Sequence, residues 1–259
     1  MAFAEMDGVC IHYELSGDAS KPLLVLSHSL GVAMAMWEPQ MEVLGSHFRL
    51  LRYDTRGHGG SSIPAGSYSI REMGEDVLRL MDLLGIQTAS FCGISMGGAI
   101  GQWLGIHASN RLERLVLANT AAKIGSAEGW DGRIATVLAQ GLSPIIEGTL
   151  ERWFTAAFRE AHPGVVEATR AMLRATDAAG YAGCCAAIRD ADFRGEPGAI
   201  SVPTLIVCGT HDQVTTVDDG RIMAGQISGS KLVELAAAHL SNIEAASEFN
   251  LELLQFLTA

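Results

Sequence analysis

The chain has 259 residues with a net charge of −11, 48% hydrophobic and 18% charged residues. That balance describes a folded chain with a sizeable core and excludes disorder. It also lacks the basic footprint of a nucleic-acid binder, argues against an anionic membrane surface, and repels acidic ligands at long range unless local Arg or Lys opposes the field.

The N-terminal run MAFAEMDGVCIHYELSG has no basic stretch followed by an apolar one, so no signal peptide is expected. No apolar run reaches the ~18 residues of a membrane span. Five cysteines, Cys10, Cys92, Cys184, Cys185 and Cys208, form an odd set without zinc-site spacing. They read as reduced thiols, and the expected location is the cytoplasm.

In chain order, Val9–Leu15 alternates apolar and polar residues behind Asp7-Gly8, the pattern of a hairpin strand. Leu23–Ser27 and Phe48–Tyr53 are short apolar runs of the kind buried on both faces of a parallel sheet. The second ends in the loop DTRGHGGSS. Helical spacing of Val77, Leu80, Met81 and Leu84 predicts a helix over Ile70–Leu84, stopped at Gly85. Ala89–Ile94 reads as strand, Met96–Ala108 as helix, and Leu115–Ala118 as strand. Alternation of this kind implies a mostly parallel central sheet flanked by helices. From about Ala121 to Gly195 the pattern turns helical. Strands return at Thr204–Cys208, behind Pro203, and at Lys231–Leu235. The expected organisation is one α/β domain with its core over 1–120 and 196–259 and a helical cap insertion over 121–195.

The run Phe91-Cys-Gly-Ile-Ser-Met-Gly-Gly98 holds G-x-S-x-G between a strand and a helix. This is the pattern of a nucleophile on a tight turn, where side chains at Gly93 and Gly97 would clash. Ser95 is the expected nucleophile. The N–H of Met96, at a helix start, is an expected oxyanion donor. A second donor is expected after an early strand, in Ser27-His-Ser-Leu-Gly31. Leu30 is favoured there, with Ser29 the alternative.

A serine hydroxyl needs a base, and the base an orienting acid. Leu205–Asp212 is a strand ending in a carboxylate, and Leu235–His239 a strand-to-loop run ending in a histidine. Asp212 and His239 are therefore the expected acid and base, with Asp218 and Asp219 as alternatives to Asp212. Among the other histidines, His28 and His58 follow strands and are expected to shape the site. His28 is also a candidate substrate contact.

On these residues the sequence resembles the α/β-hydrolase superfamily over essentially its whole length. The resemblance rests on H-x-x-G at His28–Gly31, D-x-R-G-H-G-x-S at Asp54–Ser61, the elbow, the acid strand and the terminal histidine. Within it, the chain is similar to the 3-oxoadipate enol-lactonases. That likeness rests on Trp130 with Arg133-Ile134, on Arg152-Trp-Phe-Thr155, on Gly180–Asp190 and on Ala237–Glu244. One departure stands beside it: the run after Asp212 is Val214-Thr-Thr-Val217, where the family pattern implies A-T-P-P.

The resemblance implies the α/β-hydrolase fold and hydrolysis of 3-oxoadipate enol-lactone to 3-oxoadipate in protocatechuate catabolism, with no metal or organic cofactor. The implied partner is a small lactone or ester carrying a carboxylate. Arg133 is the expected carboxylate cation, because a guanidinium binds carboxylates in bidentate fashion. Trp130 and Trp153 are candidates to wall the pocket, although the apolar setting of Trp153 favours core. The elbow alone fits a carboxylesterase, another lactonase, a C–C bond hydrolase or a perhydrolase. A non-enzymatic ligand receptor on this fold is a reading of another class.

Overall fold

A computed structural model describes residues 1–6 and 8–259 of the chain. Of the Asp7-Gly8 pair, Asp7 lies outside the described residues.

Eight strands form one sheet: β1 (Ala2–Met6), β2 (Val9–Ser16), β3 (Leu23–Ser27), β4 (Arg49–Tyr53), β5 (Ala89–Ile94), β6 (Leu112–Ala118), β7 (Thr204–Gly209) and β8 (Lys231–Leu235). Their spatial order is β1-β2-β4-β3-β5-β6-β7-β8. The β1–β2 and β2–β4 pairs are antiparallel and the rest parallel. β1, which the sequence reading leaves unassigned, pairs with the expected hairpin strand. Every residue of β5 and β7 is buried, which is why both runs are mostly apolar, with Ser90 and Thr204 as the polar members.

Helices cover the sheet. They are α1 (Glu38–Gly45), α2 (Ile70–Leu83) and α3 (Met96–His107) in the first half. α2 starts at a reciprocal capping box between Ser69 and Glu72 and buries Ile70, Met73, Val77, Leu80 and Met81 on one stripe. Between β6 and β7 lie α4 (Ala127–Gln140), α5 (Ser143–Trp153), α6 (Ala156–Ala161), α7 (Pro163–Ala175) and α8 (Ala178–Asp190), with no strand among them. The chain ends with α9 (Val217–Gln226), α10 (Ser241–Glu244) and α11 (Ala246–Leu257). No helix among the described residues is long and apolar enough to cross a membrane.

The α4–α8 segment is fastened to the loops that leave β3 and β4. Thr176 Oγ1 donates to Gly31 O at 3.0 Å, and Tyr68 N to Gly183 O at 3.2 Å. Gly57 and Gly180 meet backbone to backbone, so closely that a Cβ on either would fall well inside van der Waals contact.

The parallel strands bring their C-terminal ends to one edge. β3 has β4 on one side and β5 on the other, so successive connections diverge there and open a crevice. The loops after β3, β5, β6, β7 and β8 all deliver residues to this edge.

Candidate active site

The elbow position is strained by its own backbone. Ser95 sits at φ 56° and ψ −111°, a region that non-glycine residues avoid. The turn is tight enough that a Cβ on Gly93 would strike the carbonyl of Gly97, and one on Gly97 the carbonyl of Ser27. Local sterics thus demand both glycines of G-x-S-x-G. Ser95 N is held by Ala118 O at 3.0 Å, and Thr120 Oγ1 donates to Ser95 O at 2.9 Å. The hydroxyl-bearing residue is therefore fixed to the neighbouring strand end. Met96 is the first residue of α3, where backbone N–H groups lack an intrahelical acceptor.

Asp212 and His239 meet at 2.8 Å through Oδ2 and Nδ1, with both side chains almost fully buried. Five donors converge on the carboxylate. Oδ1 accepts from Val214 N (2.8 Å) and Thr215 N (3.1 Å). Oδ2 accepts from His239, from Thr215 Oγ1 (2.9 Å) and from Asn119 Nδ2 (3.0 Å). Burial alone would raise the Asp212 pKa, but the His239 charge and these hydrogen bonds hold it down at about 2. Asp212 is thus an acceptor at neutral pH, which sets Nδ1 of His239 as donor. The run after Asp212 departs from A-T-P-P, yet it wraps the carboxylate: Thr215 gives it two bonds, and Thr216 caps α9.

Asp218 and Asp219 do not compete for this role. Asp219 accepts from Thr216 in the capping box of α9, and Asp218 pairs with Arg221 at 3.0 Å on the surface.

Ser95 and His239 line one cavity of about 50 Å³ together with Ser29, Leu30, Trp130, Arg133, Arg152 and Trp153. Trp153 is buried and stacks near His239, with ring centroids 6.4 Å apart. It therefore serves core and cavity wall at once. Trp130 is anchored by Nε1 donation to Ile124 O at 2.7 Å. The guanidinium of Arg133 lies 5.9 Å from the Trp130 ring and 5.8 Å from that of Tyr181, and Nη2 donates to Thr149 Oγ1 at 2.6 Å.

The loop after β3 shows how its donors are assigned. Ser29 N is spent on Met36 Sδ at 3.3 Å, and Gly31 N on His58 Nε2 at 2.8 Å. Leu30 N has no partner among the described residues.

His28 needs correction as a substrate contact. It is fully buried and lies outside the cavity lining. Nδ1 engages Ser29 O at 2.7 Å, and Nε2 accepts from Thr55 N at 2.9 Å. Burial lowers its pKa, which keeps the ring neutral, as an Nε2 acceptor requires. His58 is neutral for the same reason: burial, followed by the adjacent His28, lowers its pKa to about 3. Two neutral imidazoles thus brace the loop from beneath.

Sequence reasoning missed three supporting residues. Asn119, at the end of β6, adopts φ 43°, which asparagine tolerates better than most residues. It bonds Asp212 and also Ala238 O at 3.2 Å. Its own Oδ1 accepts from Ser241 Oγ at 2.5 Å, which fixes which end of the amide faces the acid. Glu244 accepts from Ala238 N at 2.8 Å and from Thr155 N at 3.1 Å, joining the histidine loop to the turn between α5 and α6. The only advance signal for Asn119 was a polar residue at the crevice end of a buried strand.

The comparisons with known proteins show the family of the chain. A family model described as the alpha/beta hydrolase fold matches residues 22–246. The chain is 45% identical over 93% of its length to 3-oxoadipate enol-lactonase 2 of Acinetobacter baylyi, of which it covers 91%. It is 40% identical over the same shares to enol-lactonase 1 of that organism. Among solved structures, the enol-lactonase of Burkholderia xenovorans LB400 superposes with a TM-score of 0.98 at 45% identity, each chain fully covered.

Proposed function

Because the chain belongs to the α/β-hydrolase family, we propose that it opens 3-oxoadipate enol-lactone to 3-oxoadipate by way of an acyl-enzyme on Ser95. The observation that carries this reading is one small cavity lined by the Ser95 elbow, the Asp212-bound His239 and Arg133.

In the proposed reaction, Ser95 Oγ attacks the lactone carbonyl as His239 takes its proton. Asp212 steadies the imidazolium through Nδ1. The oxyanion of the tetrahedral intermediate lies on the N–H groups of Leu30 and Met96. Collapse breaks the ring C–O bond, and His239 returns the proton to the departing enol oxygen. The enol then tautomerises to the ketone. Water, deprotonated by His239, attacks the acyl-enzyme and frees the new carboxylate. The free carboxylate of the substrate rests on Arg133, while α4–α8 act as a cap that closes the crevice and thins its water.

The test is ultraviolet absorbance of the enol-lactone with wild type and Ser95→Ala side by side. Fast loss with wild type and a rate lower by about 10⁴-fold or more with the variant is expected. A wild type that leaves the lactone intact but cleaves p-nitrophenyl acetate overturns the substrate while leaving the serine hydrolase.

A further inference from the structure

The reaction cavity shares part of its lining with a second space. Beyond it, against α4 and α5, opens a chamber of about 510 Å³. Trp130, Arg133 and Arg152 are the residues common to both linings, so they stand at the boundary between them. The inner space holds only a few waters' volume. A lactone with its carbonyl at Ser95 therefore reaches toward the two arginines.

Neither arginine has an acidic partner. Elsewhere Arg52, Arg56, Arg111, Arg170 and Arg189 each sit on a carboxylate. Arg152 is half-buried, yet makes no hydrogen bond or ion pair among the described residues. Its neighbour Glu151 is exposed and forms no ion pair with it. Arg133 keeps a buried Nε with no acceptor. Half-buried charges normally find a counterion. Two mutually repelling cations at one boundary, neither in an ion pair among the described residues and with only the exposed Glu151 acting on Arg152 from a distance, leave that role to a ligand. Burial, then the charge of Arg133, pushes the Arg152 pKa below its ordinary value, consistent with that repulsion.

We propose that Arg152 and Arg133 form a single clamp for one carboxylate at this boundary, which makes Arg152 a specificity-determining residue for acid-bearing lactones and esters. This rests on the lactonase reading for the identity of the substrate, but not for the chemistry of the clamp. The anion takes donors from both guanidiniums and relieves their repulsion. Its carbonyl end is thereby directed inward to Ser95, and the outer space is the side from which the acid arrives. A neutral ester gains none of this.

The experiment compares kcat/KM for 3-oxoadipate enol-lactone with that for p-nitrophenyl acetate in wild type, Arg152→Gln and Arg152→Lys. The lactone-to-ester ratio is expected to fall about thirtyfold in Arg152→Gln, mostly through KM, and to recover in part in Arg152→Lys. An unmoved ratio, or one equally low in both variants, overturns the clamp. In parallel, adipate and 1,6-hexanediol are tested as inhibitors of p-nitrophenyl acetate cleavage. Adipate should bind wild type at least about tenfold more tightly than the diol, and lose that advantage in Arg152→Gln. Equal inhibition of wild type by the two overturns the clamp even if the variants fail to fold. If wild type ignores the enol-lactone while Arg152-dependent adipate inhibition persists, the substrate assignment falls and the clamp stands.

Discussion

Asn119 donates its side-chain amide to the same oxygen of Asp212 that engages His239, at 3.0 Å beside the 2.8 Å histidine bond. Two strands, β6 and β7, therefore share the task of holding one carboxylate. Ser241, on the far side of Asn119, locks the amide so that its NH₂ faces the acid.

Removing that donor should weaken the support of the base without touching the substrate. Asn119→Ala is expected to lower kcat by about tenfold with little change in KM, since one hydrogen bond to a buried charge is lost. Steady-state kinetics on p-nitrophenyl acetate checks this. An equal loss in KM would instead place Asn119 in substrate binding.

The Asp212 carboxylate also ties stability to pH. Its folded pKa of about 2 lies below the ordinary value of 3.8, so the unfolded chain binds its proton more readily. The stabilisation is complete above the unfolded pKa and is lost as pH falls from there through about 2. With the side chain buried, the contribution is on the order of 2 kcal/mol. Urea unfolding at pH 6 and pH 3 should show a smaller acid-induced loss in Asp212→Asn than in wild type. Equal losses would mean that Asp212 is not depressed.

The elbow stores strain at Ser95. Replacing Ser95 with glycine, which tolerates φ 56°, should yield a protein more stable than Ser95→Ala by about 1 kcal/mol or more. Differential scanning calorimetry of the two inactive variants measures this. A less stable glycine variant would show that unfolded-chain entropy outweighs the strain.

What was legible beforehand follows from the range of the forces involved. Ser95, Gly93 and Gly97 were readable because the clash that demands the glycines is local to five residues. The buried strands β5 and β7 were readable from short, mostly apolar runs. β1 escaped because AFAEM is short and gains its role only by pairing with β2. Asn119 escaped because its value lies in a partner 93 residues away. His28 misled for a related reason: its place in the loop after β3 pointed toward the substrate, while Thr55 and Ser29 draw its ring inward. The paired arginines were not visible as a pair, because α4 and α5 meet only in the folded chain.

The Glu244 carboxylate has one further consequence. It grips Thr155, in the helical segment between β6 and β7, and the backbone of Ala238, one residue before His239. A second bond, Leu240 N to Trp153 O at 3.2 Å, spans the same seam on the other side of the histidine. Any displacement of these helices would therefore pull on the His239 loop from both flanks. The helical segment and the loop that carries His239 are thereby coupled as one mechanical unit.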